Sequence, residues 1–264
     1  MPWVRFLQEG QVCWGRLVDD HVQVYSGTPL GEHTACRPQP GVERLPREAV
    51  DLLAPCMPSK IVCIGRNYRE HARELGNDVP AEPLIFLKPP SALLPPGGTI
   101  LLPRLSQQVE YEGELGVVIG RRCRNLALEA DPREYVLGFT CVNDVTARDL
   151  QKKDSQWARA KGFDTFCPIG PCVVETPQGG ERPWEGLTIE TRVNGEVRQQ
   201  GNTADFIFPL PRLLQAITAV MTLEPGDVIA TGTPAGVGRL NPGDRVSVTI
   251  AGVGTLENRV AAAE

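Results

Sequence analysis

From residue 109 to residue 120 the chain reads Val-Glu-Tyr-Glu-Gly-Glu-Leu-Gly-Val-Val-Ile-Gly, a polar row of period two that runs into an apolar, β-branched half. The apolar half predicts a strand, and a strand alternates its faces, so Glu110, Glu112 and Glu114 point the same way. At a rise of about 3.3 Å per residue, neighbours in the row sit roughly 6.6 Å apart at Cα, close enough for two carboxylates to grip one cation. The alternative is a solvated strand face. Against that alternative, adjacent like charges destabilise a sheet, and a carboxylate row that ends in a buried segment calls for a metal or a base.

The remaining pattern predicts a mixed, β-rich α+β chain. Short alternating runs at 4–8, 11–17 and 21–25, broken by Glu9-Gly10 and Asp19-Asp20, have the spacing of an antiparallel meander. Prolines at 38, 40, 46, 55 and 58 punctuate a connector, and a boundary near residue 55 separates a small N-terminal β domain, 1–55, from a main domain, 56–264. A buried strand is expected over 60–65, then a helix over 69–76 with Asn67 as its N-cap and Gly76 as its stop. Residues 84–87 form a strand within a proline-dense path, and Lys88 is expected to be its solvated end rather than a cation facing a cleft. After a turn at 131–135 and a strand at 135–142, a helix opens at Thr146, with Asp149 completing a capping-box-like start. That leaves Asp144, at the strand end, free to serve as a third oxygen ligand. Further on, the pattern gives a strand at 187–193 turning at Asn194-Gly195 and strands at 228–230 and 245–250. Between them lies an amphipathic helix through Leu210, Leu213, Leu214, Ile217, Val220 and Met221, read as a core face.

Composition narrows the partners. With 264 residues, 41% of them hydrophobic, the chain can bury a sizeable core. A net charge of -5 gives no basic footprint, which argues against nucleic acid and acidic membranes. The eight cysteines form no Cys-x-x-Cys pair, so zinc is not expected. Neither a signal peptide nor an apolar run of about 18 residues is evident, and reduced thiols in the cytoplasm are expected. His21 and His33 sit among turn residues and read as incidental surface histidines. His71 and Glu74, three apart on the expected helix, are either a charged surface pair or a base whose ring the carboxylate orients. The glycine-rich stretch 231–238 lacks a Gly-Lys-Ser/Thr ending and a Gly-x-Gly-x-x-Gly, so it is not a nucleotide loop, although its amides can cradle a carboxylate.

Over about residues 58–260 these motifs resemble the fumarylacetoacetate hydrolase superfamily. The marks, in order, are Gly65-Arg66-Asn67-Tyr68 with His71 and Glu74, then Tyr111-Glu112-Gly113-Glu114-Leu115, then Asn143-Asp144 through to Gln151. Ala160-Lys161-Gly162 and Thr231-Gly232-Thr233-Pro234-Ala235-Gly236 complete the set. The superfamily includes acylpyruvate hydrolases, oxaloacetate decarboxylases and the isomerase/decarboxylase of homoprotocatechuate breakdown.

The resemblance implies a β-sandwich roll of that family's type and a metal site built by Glu112, Glu114 and Asp144, with Glu110 outside the set. Three carboxylates select a hard cation such as Mg²⁺ or Mn²⁺. It also implies His71 and Glu74 as a water-activating dyad on a lid, and Lys161 and Gln151 in contact with the substrate and its oxyanion. Thr233 would hold the substrate carboxylate, and Arg148 would lie near the metal. The substrate implied is a 2-oxo or 2-hydroxydienoic acid whose enolate the cation stabilises. A small N-terminal β module is similar to that of 2-hydroxyhepta-2,4-diene-1,7-dioate isomerases, which points to an isomerase or decarboxylase. The intact His71 and Glu74 pair favours the rival, an acylpyruvate hydrolase. A reading of another class, a non-catalytic small-acid-binding protein stabilised by metal, is disfavoured by His71, Glu74, Gln151, Lys161 and Thr233 standing beside the ligands. The resemblance further implies a homodimer, and substrate choice is assigned to 76–82 and 152–166.

Overall fold

The apolar run after Glu112 forms the strand Gly113–Ile119, and every residue of it is buried. The computed structural model of the protein describes residues 1–31, 36–176 and 182–263. The strand lies inside a 13-stranded sheet, between the antiparallel strands Val136–Asn143 and Val228–Ala230. Beyond Val228–Ala230 come Ile61–Gly65, parallel to it, and Leu84–Lys88 at the edge. A strand covered on both faces is apolar at every position, which is why the period of two fades after Glu114. Leu115, Val117 and Ile119 join one core, and Val118 joins the other.

The first of these cores is closed by the helix Leu210–Val220, through Leu210, Leu213, Leu214 and Ile217, and by Ile189, Val248, Ile250 and Leu256 of a five-stranded sheet. The hairpin of that sheet turns at Asn194 and Gly195, both at positive φ as a two-residue hairpin turn requires. Val220, assigned from the sequence to the apolar face, is exposed instead. The helix ends there and Met221 leaves it in an extended conformation. On the other side of the large sheet, the N-terminal meander of Trp3–Gln8, Gln11–Val18 and His21–Ser26 continues the sheet through Trp3 paired with Val173. Trp3, Trp14 and Ala54 pack in the same core as Ile61, Cys63 and Cys167. Among the described residues no helix is long and apolar enough to cross a membrane.

Strand direction assembles the site. Val228–Ala230 and Ile61–Gly65 are parallel, so their C-terminal ends release the segments 66–68 and 231–236 side by side. Gly113 pairs with Asn143 and Glu114 with Val142, which sets the start of one strand against the end of the next. Two backbone links lock that corner: the Asp144 N–H donates to the Glu112 carbonyl at 2.8 Å, and the Glu112 N–H donates to Asn143 Oδ1 at 2.9 Å.

Two local expectations are corrected. The first helix is Arg69–Glu74, and no side chain caps it. Asn67 is fully buried, so its amide must be satisfied at longer range. Its Nδ2 donates to the carbonyls of Phe208 and Thr231, at 3.2 and 2.8 Å, and its Oδ1 accepts from the Phe208 N–H at 2.8 Å. The capping box at Thr146 is not formed either, because Thr146–Ala147 is a short strand and the helix is Arg148–Lys153. The Thr146 hydroxyl donates to the Asp144 carbonyl, and the Asp149 carboxylate accepts from the Ser106 hydroxyl and the Gln107 N–H. His21 is exposed, whereas His33 lies outside the described residues.

At the opposite end of the parallel pair, Asp227 is fully buried. It accepts from the N–H groups of Ser59, Lys60 and Glu224, from the Ser59 hydroxyl and from the Lys60 ammonium. Asp227→Ala strands three backbone donors and is expected to cost about 3 kcal/mol or more in equilibrium urea unfolding. Ser59→Ala, which removes one donor, is expected to cost about 1 kcal/mol.

Candidate active site

Glu112, Glu114 and Asp144 are all buried, and each offers a carboxylate oxygen within 4.8 Å of the others. The solvated strand face is therefore excluded, since Glu110 is buried as well. Glu110 stays outside this trio and takes a 2.7 Å bond from Arg148 Nε. The same guanidinium reaches Glu112 with one terminal nitrogen and Gln151 Oε1 with the other. Lys161 Nζ lies between Glu112 Oε2 and Asp144 Oδ2, at 2.8 and 2.6 Å, and 4.9 Å from the centre of the Phe86 ring.

The charges do not balance. Four carboxylates (Glu110, Glu112, Glu114, Asp144) face three cations (Lys88, Arg148, Lys161), leaving one excess negative charge in a buried cluster. The imbalance falls on Glu114. Burial, and then the carboxylates of Asp144 and Glu112, push its proton affinity well above the usual range. Burial pushes Glu112 the same way, but Lys161 and Arg148 overcome it and hold that carboxyl well below the ordinary value. Burial opposes the charged form of Lys161 too, yet Asp144 and Glu112 raise its affinity for the proton. The donor set suits a hard divalent cation: three carboxylates, no thiol, and a charge deficit that a cation corrects.

His71, Arg148, Gln151, Lys161 and Thr233 line the same small cavity as the three carboxylates, a room of about 50 Å³. Glu74 stands behind His71, outside that lining. It faces His71 Nδ1 with Oε2 at 3.3 Å and accepts the Gly236 N–H on Oε1 at 3.0 Å. The loop after Val228–Ala230 therefore supports the dyad and the acidic trio together, since the Gly232 N–H donates to Glu114 Oε2 at 2.7 Å. Gly232 has φ near +101°, and a Cβ there would meet Asn67 Cβ at 2.7 Å, so only glycine fits. Thr233 donates its hydroxyl to the Gly113 carbonyl at 2.9 Å and accepts from Gln199 Nε2 at 2.8 Å.

Lys88 overturns the expectation of a solvated strand end. It is fully buried, and its Nζ donates to Asp144 Oδ1 at 2.6 Å and to the Val145 carbonyl at 3.0 Å. A signal was present in the sequence, since Lys88 shares strand parity with Phe86, which lines the cavity. Gln199 was also missed. It ties Thr233 and the Pro234 carbonyl to the Gly113 N–H from a different sheet, which no local pattern announces.

Residues 60–261 match the family described as fumarylacetoacetate (FAA) hydrolase, C-terminal, and residues 1–55 match one described as Rv2993c-like, N-terminal. The oxaloacetate tautomerase YisK of Bacillus subtilis is 45% identical over 214 residues, 77% of this chain and 70% of that protein. The crystal structure of 2-hydroxyhepta-2,4-diene-1,7-dioate isomerase from Mycobacterium marinum is 40% identical with a TM-score of 0.86, covering 99% of this chain and 98% of that one. Maleylpyruvate hydrolase from Sphingobium sp. SYK-6, in complex with manganese(II) and pyruvate, is 31% identical with a TM-score of 0.81, and each chain is covered in full.

Proposed function

Given that the chain belongs to the fumarylacetoacetate hydrolase family and is an enzyme of it, we propose that it converts a 2-oxo or 2-hydroxydienoic acid through an enolate, as a metal-dependent isomerase or decarboxylase. The observation that carries this reading is the buried trio of Glu112, Glu114 and Asp144, in a cluster whose four carboxylates, with Glu110, outnumber its three cations by one. A Mg²⁺ or Mn²⁺ ion held there supplies electrophilic stabilisation for the enolate charge.

The chain's own residues do the rest. Lys161 offsets the anionic ligands that would otherwise repel an anionic substrate, and as a cation lining the cavity it suits the negative charge of the enolate. Arg148 fixes Gln151 through its 2.5 Å bond, so that the Gln151 amide keeps one orientation toward the cavity. Thr233 lines the same cavity as the trio, and its hydroxyl suits contact with a substrate carboxylate. His71 turns Nδ1 toward Glu74, which leaves Nε2 as the ring atom to move a proton at C3 in an isomerisation, whereas after a decarboxylation solvent can return that proton without it. In a decarboxylation the C3–C4 bond breaks, its electron pair enters the enolate as CO₂ leaves, and C3 is then reprotonated.

A second reading, acylpyruvate hydrolysis, is supported by the same His71 and Glu74 pair, which could instead activate water. The test is loss of substrate absorbance for oxaloacetate, a 2-hydroxydienedioate and acetylpyruvate, each with Mg²⁺, Mn²⁺ or a chelator. His71→Asn is expected to lower acetylpyruvate hydrolysis by about 10²–10⁴-fold while metal-dependent decarboxylation of oxaloacetate stays within about tenfold. Equal loss of both would assign His71 to a shared step, and turnover indifferent to chelator would overturn the metal-dependent reading.

A further inference from the structure

We propose that Arg66 reads the far end of the substrate, so that the site prefers 2-oxo dicarboxylic acids over monocarboxylic acids of the same length. The proposal rests on the functional reading above and names its substrate class. Four cationic or potentially cationic side chains line the inner cavity: Arg66, His71, Arg148 and Lys161. Three of them are committed, His71 to Glu74, Arg148 to Glu110 and Glu112, and Lys161 to Glu112 and Asp144. Among the described residues Arg66 has no hydrogen-bond or ion-pair partner.

Its position fits the role. Arg66, Phe86 and Trp157 line the inner cavity and also an outer one of about 360 Å³, so they form the step between the two. Phe86 and Trp157 meet edge to face with ring centres 5.2 Å apart, an apolar wall along the path outward. A half-buried guanidinium at the end of that wall presents a planar fork of donors, which matches a carboxylate and not a methyl group.

The backbone holds Arg66 there. Its φ is +56°, a left-handed conformation that residues with a Cβ rarely adopt. Strain of this kind persists where the surroundings over-determine the chain, and it gathers at functional sites. Both neighbours are fixed. A Cβ on Gly65 would come within 3.1 Å of the Trp157 ring, and the Asn67 amide is bonded to Phe208 and Thr231. The oxygens nearest the cavity floor are already engaged by Lys88, Lys161, Arg148 and the Gly232 amide, so they do not draw Arg66 inward.

The test compares matched acids that differ only at the far end: 2-oxoglutarate with 2-oxovalerate, and 2-oxoadipate with 2-oxohexanoate. Dissociation constants are measured by calorimetry on the full chain, with Mn²⁺ and with chelator. Wild type is expected to bind each diacid about 10- to 100-fold more tightly than its partner, the discrimination of a charge-assisted hydrogen-bond pair. Arg66→Gln is expected to bring that ratio close to one, and Arg66→Lys to keep part of it. A wild-type ratio near one, or a loss in Arg66→Gln shared equally by diacid and monoacid, overturns the role of Arg66. Binding of all four acids that ignores the chelator overturns the functional reading instead and leaves the diacid ratio readable. Absence of binding by all four overturns both.

Discussion

A Lys161→Met variant is expected to lose about 3–5 kcal/mol of unfolding free energy in the presence of chelator, and to regain most of it when Mn²⁺ is added. The ammonium is buried and donates to two carboxylates, Glu112 and Asp144, from a position over the Phe86 ring. Methionine fills a similar volume against Phe86 and so leaves packing largely intact. It also leaves those two carboxylates without the ammonium they share, and breaking one side of a buried ion pair costs far more than the pair itself contributes. A divalent cation replaces the missing charge, so the stability of the variant becomes metal-dependent. Turnover is expected to stay about 10²–10³-fold below wild type even with metal, as when one preorganised donor to developing charge is removed. Urea unfolding with Mn²⁺ and with chelator measures the first effect. A stability loss of the same size in both conditions would show that Lys161 and the trio do not share one charge balance.

Glu114→Gln is expected to do the reverse, retaining stability and losing metal. In the metal-free protein Glu114 is pushed toward its protonated, neutral form, and the substituted amide reproduces that form, keeping an oxygen to accept the Gly232 N–H. Because the folded-state affinity for the proton is raised, the folded chain binds more protons than the unfolded chain once pH exceeds the ordinary carboxyl value of about 4.5. The contribution of Glu114 to the stability of the metal-free protein is therefore full below that value and is lost as pH rises from there toward the raised one, opposite in sign to that of Glu112. In Glu114→Gln this slope should disappear. Metal binding would require Glu114 ionised, so Mn²⁺ affinity of wild type should rise with pH above the ordinary carboxyl value and binding should be accompanied by proton release. Loss of supporting residues around a metal typically costs about 10–100-fold in affinity, so replacing a ligand should cost at least about 100-fold. Calorimetric titration of Mn²⁺ in two buffers of different ionisation enthalpy measures affinity and proton release together. Unchanged Mn²⁺ affinity in the variant would remove Glu114 from the metal site.

The outline of the fold was legible in particular windows. The meander showed in its turn residues, the hairpin in Asn194-Gly195, and the central strands in their β-branched runs, because each is set by backbone preferences within a few residues. The helix at 69 was found as an element, but its cap was misread. Asn67 has the right chemistry for a cap, and the structure spends that chemistry on Phe208 and Thr231. Lys88 failed for a related reason. A lysine at a strand end before two prolines reads as solvated unless the carboxylate it meets is known, and that carboxylate lies 56 residues away. The acidic trio was half visible. Strand parity grouped Glu110, Glu112 and Glu114 on one continuous strand, but the structure breaks that strand at Glu112, between Val109–Tyr111 of a three-stranded sheet and Gly113–Ile119 of the large one, and bonds Glu110 to Arg148.

By itself the sequence determined the β-rich class, the main strands and turns, and an oxygen-rich set of side chains suited to a hard cation. These follow from periodicity, turn chemistry and side-chain type, all properties of short windows. Only the tertiary structure decided which carboxylates share one centre, that three cations face four buried carboxylates once Glu110 is counted, and that Arg66 alone of the cavity's cations stands unpaired among the described residues. Charge balance and burial are sums over neighbours in space, and here those neighbours are as far apart in the chain as Asn67 and Thr231, 164 residues.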